Sequence, residues 1–153
     1  VSLDVYLTVP EASDAVTDEW AQRIYVRRDG QTVQITLAEW DEMYPGREPF
    51  MVTTPDSDGE VFSANITHNL GKMAAEAGLY EALWRPEEID ATKARDLIQV
   101  LRDGLAELVT DPGRFKELNP TNGWGDYDGL CRFTAGYLAA CERWPDAAIG
   151  VSR

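Results

Sequence analysis

The residues that build metal and redox sites are scarce in this sequence, with one histidine, His68, and two cysteines, Cys131 and Cys141, among 153 residues. A single imidazole excludes His-rich metal centres, and neither cysteine has a C-x-x-C or Cys/His zinc spacing. Both fall in one expected helix, where ten residues at 1.5 Å rise hold them about 15 Å apart, too far for a disulfide. They read as small hydrophobes on a packed face. Bases are also few: 14 Lys and Arg stand against 27 Asp and Glu, a net charge of −13. A phosphate backbone is repelled by such a chain, which argues against nucleic acid as a partner. No apolar run approaches the ~18 to 20 residues that span a bilayer, and the first residues lack the basic and apolar regions of a signal peptide. The expectation is a cytoplasmic protein with no membrane partner, no metal and no cofactor. In that compartment the Asn65-Ile66-Thr67 sequon carries little weight.

Signature motifs are missing as well. There is no G-x-S-x-G, and the glycines around Trp124 match neither the Walker A pattern nor the dinucleotide fingerprint. Asp56-Ser57-Asp58-Gly59-Glu60 has too few ligands at the right spacing for a calcium loop. With 27 acids in the chain, chance carboxylate pairs are expected, so no glycosidase dyad stands out.

What is present suits one globular domain over residues 1–153: 44% of residues are apolar and 27% charged, close to the globular average. Residues 1–64 carry 13 acids against 4 bases and residues 65–153 carry 14 against 10. The acidic first half, with Asp14, Asp18 and Glu19, is either a solvated face or a surface for a basic protein partner.

Alternation around Val5 and Leu7 predicts a strand over Leu3–Val9, ended by Pro10. Arg23–Arg27 and Thr32–Leu37 flank Asp29-Gly30, a hairpin signal. Thr36 and Glu39 have capping-box spacing, so Leu37–Tyr44 reads as a short helix stopped by Pro45-Gly46. Thr53–Gly59 has loop composition, and Glu60–Ile66 resumes strand character. Leu70, Met73, Ala74 and Ala77 then mark a helix with Thr67 as N-cap and Gly78 as stop. The longest stripe runs from Ala94 to Val109, ending at Asp111-Pro112, and another runs from Tyr127 to Cys141 with Asp126 as cap. Ala147–Ser152 reads as a last strand. Strands concentrated in 1–66, helices in 67–145 and a closing strand in 147–152 predict an α+β fold, an antiparallel sheet packed against three to four helices.

Two polar segments carry the candidate site. Asn65, Thr67, His68, Asn69 and Lys72 cross a strand-to-helix junction, where free N–H groups and the dipole favour a polar or anionic group. His68 falls opposite the apolar stripe, either as an exposed first-turn residue or as a ligand contact. The second segment, Asn119 to Tyr127, holds Trp124 between two glycines beside Asn122; the indole either stacks on a ligand or folds back over the core. Arg85, before Pro86, pairs with an anion or with Glu87 or Glu88. If the helices after Thr67 and Asp126 run parallel, the two segments share one mouth and His68 lies near Trp124. The candidate ligand site is Asn65, Thr67, His68, Asn69, Lys72, Arg85, Asn122, Trp124 and Tyr127, for a small polar or anionic ligand, a nucleotide-derived one included. An enzyme using His68 as acid or base, with an Asn or Lys72 as stabiliser, ranks below binding because no nucleophile, metal set or acid partner is visible.

The segments SLDVYLTV, NITHNLGKMAAEAGLY, LWRPEEI, NPTNGWGDY and AAIGVSR resemble those of an uncharacterised family of small proteins of bacterial and phage genomes. The resemblance covers the first strand and most of residues 60–153, and leaves 10–59 unmatched. It implies a grouping and transfers no catalytic residue. A phage setting would imply interference with host defence.

Overall fold

The computed structural model describes residues 2–8, 23–52 and 62–153. The expected loop Thr53–Gly59, the start of the Glu60–Ile66 segment, and Asp14, Asp18 and Glu19 lie outside the described residues. The fold is α+β, with an antiparallel sheet packed against helices.

Leu3, Val5 and Leu7 alternate with polar residues and are fully buried, which makes Ser2–Thr8 strand β1 with one face on the core. The Asp29-Gly30 turn joins β2 (Ile24–Arg28) to β3 (Gln31–Ile35), and both turn residues have positive φ, 52° and 75°. That geometry matches the twist of the hairpin it closes. Helix α1 (Leu37–Met43) begins with the capping box: the Glu39 N–H donates to Thr36 Oγ1, and the Thr36 N–H donates to the Glu39 carboxylate at 2.7 Å. Strand β4 (Ser63–Thr67) follows.

Where one helix was expected after Thr67, a 3₁₀ turn (His68–Leu70) leads into a six-residue helix α2 (Gly71–Glu76). The Thr67 hydroxyl accepts the Asn69 N–H at 3.3 Å, so the cap lies where the sequence puts it. Gly78, at φ +75°, ends the segment: its N–H donates to the Ala75 carbonyl and the Leu79 N–H to that of Ala74. This pair of bonds is a Schellman motif, open to glycine because of its φ. Two short helices had no periodic signal, α3 (Tyr80–Trp84) and, after a 3₁₀ turn at Ala94–Leu97 and helix α4 (Ile98–Thr110), α5 (Pro112–Lys116). Asp111 caps α5 by accepting the Arg114 N–H, so Asp111-Pro112 ends one helix and starts the next. Helix α6 (Tyr127–Arg143) is capped by Asp126, whose carboxylate accepts the Gly129 N–H at 2.7 Å, and β5 (Ala148–Ser152) closes the described chain.

The strands form two sheets. One is three-stranded, β4-β1-β5, antiparallel throughout, with β1 central; the other is the β2-β3 hairpin. Helices α4 and α6 pack together, and α4 also packs on the hairpin. Leu101, Leu105, Leu108, Leu130, Tyr137 and Leu138 are fully or almost fully buried along their stripes, each aliphatic contributing about 1.5–3 kcal/mol. Cys131 and Cys141 are free and buried on α6. Among the described residues no helix is long and apolar enough to cross a membrane.

Candidate functional site

The junction between β4 and α2 meets the 119–126 loop. The Asn69 amide donates to Asn122 Oδ1 and to the Trp124 carbonyl, each at 3.4 Å. Asn122 Oδ1 also accepts the Trp124 N–H at 2.9 Å, a side-chain turn that fixes the loop tip. Behind it, Gly125 at φ +90° packs so closely that a Cβ would lie 2.5 Å from Thr67 Cγ2. At the loop's far end Asn119 Oδ1 accepts the Tyr127 N–H at 2.8 Å.

Together these segments bound a cavity of about 740 Å³, lined by Ser2, Asn65, Thr67, His68, Asn69 and Trp124. That volume lies within the usual ligand-pocket range. Pairing of Ser2 with Thr67, and of Asp4 with Asn65, brings β1 to its floor. Trp124 is 71% exposed, so the indole does not fold back over the core.

His68 is half-buried, its ring edge-on to Trp84 at 6.2 Å, and Trp84 stacks on Tyr80 at 5.4 Å. The Nε2 atom is shielded and has no hydrogen-bond partner among the described residues. Trp84 is fixed in turn, since its carbonyl accepts from Arg153 at 2.9 Å. The Asn65 amide donates to Asp4 Oδ1 at 2.6 Å, which places a carboxylate beside the cavity.

Four of the expected site residues, Lys72, Arg85, Asn122 and Tyr127, lie outside the lining. Lys72 is exposed on α2. Arg85 is exposed; the Tyr80 hydroxyl, and then the Glu88 carboxylate at 3.8 Å, raise its already high pKa. Tyr127 is a core residue, 3% exposed, whose hydroxyl donates to the Leu108 carbonyl at 2.7 Å. Burial pushes that phenol far up from its ordinary value. Asn122 acts through the loop, holding Trp124 in place.

Ser2 was missed, although alternation around the buried Leu3 marks it as facing the other side of the strand. The anion-favouring helix end is also weaker than expected. A single 3₁₀ turn precedes α2, and the Thr67 hydroxyl occupies the Asn69 N–H, so fewer free donors and a shorter dipole remain. Among the described residues no group of three or more His, Cys, Asp or Glu converges as a metal site.

No protein-family model, curated protein or solved structure matches this chain, so what the site can do is read from its geometry.

Proposed function

We propose that this protein is a binding module for a small polar ligand, seated in the cavity between the β4–α2 junction and the 119–126 loop. One observation carries the reading: two polar segments some fifty residues apart are held together by Asn69, and the cavity between them displays an exposed tryptophan instead of burying it. Trp124 supplies a stacking face, Asn65, Asn69 and the Ser2 and Thr67 hydroxyls supply donors and acceptors, and the His68 ring forms part of the wall. Among the described residues no lysine or arginine lines the cavity, and Asp4 stands beside Asn65. The charge therefore favours a neutral polar ligand over the anionic, nucleotide-like ligand of the wider expectation. Binding is preferred to catalysis because, among the described residues, His68 Nε2 has no hydrogen-bonded carboxylate or nucleophile to work with.

A thermal-shift panel of neutral and anionic polar compounds tests this. A ligand at a hundred times its Kd adds about 2.7 kcal/mol of stability, and its effect should vanish in Trp124→Ala and weaken in His68→Ala. A panel without any stabilising compound, or one whose hits ignore both substitutions, would refute the assignment.

A further inference from the structure

Outward side chains of the three-stranded sheet form a row continuous with the cavity. On β1 the buried Leu3, Val5 and Leu7 leave Ser2, Asp4 and Tyr6 on the opposite face. Register places Thr67, Asn65 and Ser63 beside them on β4, and Ser152 and Gly150 opposite Asp4 and Tyr6 on β5. The row starts in the cavity, since Ser2, Asn65 and Thr67 belong to its lining. At 3.4 Å per residue it extends about 14 Å to Tyr6.

An exposed aromatic stands at each end, Trp124 at 71% and Tyr6 at 39%. The Tyr6 side chain lies over Gly150, whose added Cβ would be in ordinary contact with Tyr6 Cβ at 3.5 Å and Cδ2 at 3.6 Å, and the residue remains exposed. Between the two rings come the Asp4 carboxylate, the Asn65 amide and the Ser2, Ser63 and Thr67 hydroxyls. Among the described residues, no lysine or arginine occupies an outward position on these three strands.

We propose that this face and the cavity together bind a neutral oligosaccharide, one sugar ring stacked on Trp124 and another on Tyr6. The inference rests on the binding-module reading and names its ligand class. A sugar ring has an apolar C–H face and a rim of hydroxyls that each donate and accept. Aromatic faces take the first, and carboxylate, amide and hydroxyl side chains take the second. Single-stranded nucleic acid also lies on aromatic-bearing sheets, but it requires a cationic track for its phosphates. Asp4 in the middle of the row and a net charge of −13 oppose that occupant.

The intact chain is titrated with neutral gluco-, manno- and N-acetylglucosamine oligomers of increasing length, by tryptophan fluorescence and calorimetry. Affinity should rise with length until the oligomer spans both rings, then level off. Trp124→Ala should lower it about tenfold at every length. Tyr6→Thr, which keeps a strand-favouring residue, should weaken only the longer oligomers and leave the single sugar unchanged; circular dichroism checks that both variants fold. Length-independent affinity, or an oligo-dT that binds in place of every saccharide, overturns the proposal. If no saccharide binds while another small polar compound stabilises the protein through Trp124, the ligand class fails and the binding-module reading stands. If nothing in either panel binds, both fail.

Discussion

Gly125 and Gly123 have similar backbones and different surroundings, which separates strain from packing in the binding loop. Both have positive φ, +90° and +77°, yet a Cβ on Gly125 would meet Thr67 Cγ2 at 2.5 Å and Leu70 Cγ at 3.0 Å, whereas one on Gly123 would meet nothing within 4 Å. Gly123→Ala therefore incurs only backbone strain, about 1 kcal/mol. Gly125→Ala adds a clash with the β4–α2 junction and should cost about 2–4 kcal/mol. It should also pull Trp124 away from Asn69 and remove ligand responses that Gly123→Ala leaves intact. Urea denaturation of the two variants checks the ranking; equal losses would mean that the loop does not dock on Thr67.

Among the elements, those with local signals were legible in the sequence and those made by distant pairing were not. The capping box at Thr36 and Glu39, the Asp29-Gly30 turn, the cap at Asp126 and the stripes of α4 and α6 depend on neighbours a few residues apart, and each is present. Helices α3 and α5 have five residues each, too short for a 3.6-residue period to register. That β1 lies between β4 and β5 depends on contacts across most of the chain, which no local pattern encodes. For the same reason Ser2 and Tyr6 escaped notice as neighbours of the cavity, while Asn65 to Asn69 and Trp124 stood out by composition. Lys72 and Tyr127 both border the polar segments in sequence, but the helical turn sends Lys72 to solvent, and Tyr127 follows the apolar stripe that begins with it into the core.

Two contacts between elements are open to measurement. Gly104 on α4 faces fully buried Leu79, where an added Cβ would lie 2.2 Å from Cδ2 and 2.3 Å from Cγ. Helix propensity favours alanine there by about 1 kcal/mol. Overpacking should prevail, making Gly104→Ala destabilising by about 1–3 kcal/mol. The Gly104→Ala/Leu79→Ala double variant should lose less than the sum of the single losses. Glu142 on α6 is 6% exposed and accepts from Arg102 Nε of α4 at 2.9 Å while pairing with Arg23 at the start of the hairpin. Glu142→Ala removes the buried carboxylate that Arg23 and the half-buried Arg102 share and should cost about 3–5 kcal/mol in denaturant melts. A loss below about 1 kcal/mol, the range of exposed pairs, would refute the clamp.

For the whole molecule, buried acids that stay protonated in the fold make stability depend on alkaline pH. Desolvation pushes the Cys131 thiol up to about 12 from its ordinary 9.0, and raises Cys141, Tyr127 and Tyr137 as well. Above pH 9.0 the unfolded chain releases thiol protons that the folded chain keeps, so it binds fewer protons and stability falls as pH rises. The stabilisation is complete below the unfolded pKa and is lost progressively toward the folded one. Each thiol with an unfolded pKa of 9.0 accounts for about 1.4 kcal/mol by pH 10, and the two tyrosines, with ordinary values of 10.0, add about 0.4 kcal/mol each. Urea melts should therefore show a loss of about 3–4 kcal/mol between pH 8 and pH 10. In Cys131→Ala/Cys141→Ala the starting stability is lower because two packed sulfurs are gone, but the fall should shrink to about 1 kcal/mol. The slope, not the starting value, decides the matter. If the double variant loses as much as the wild type over the same interval, the buried thiols are not the source of the alkaline lability, and ionisation elsewhere in this highly acidic chain takes their place.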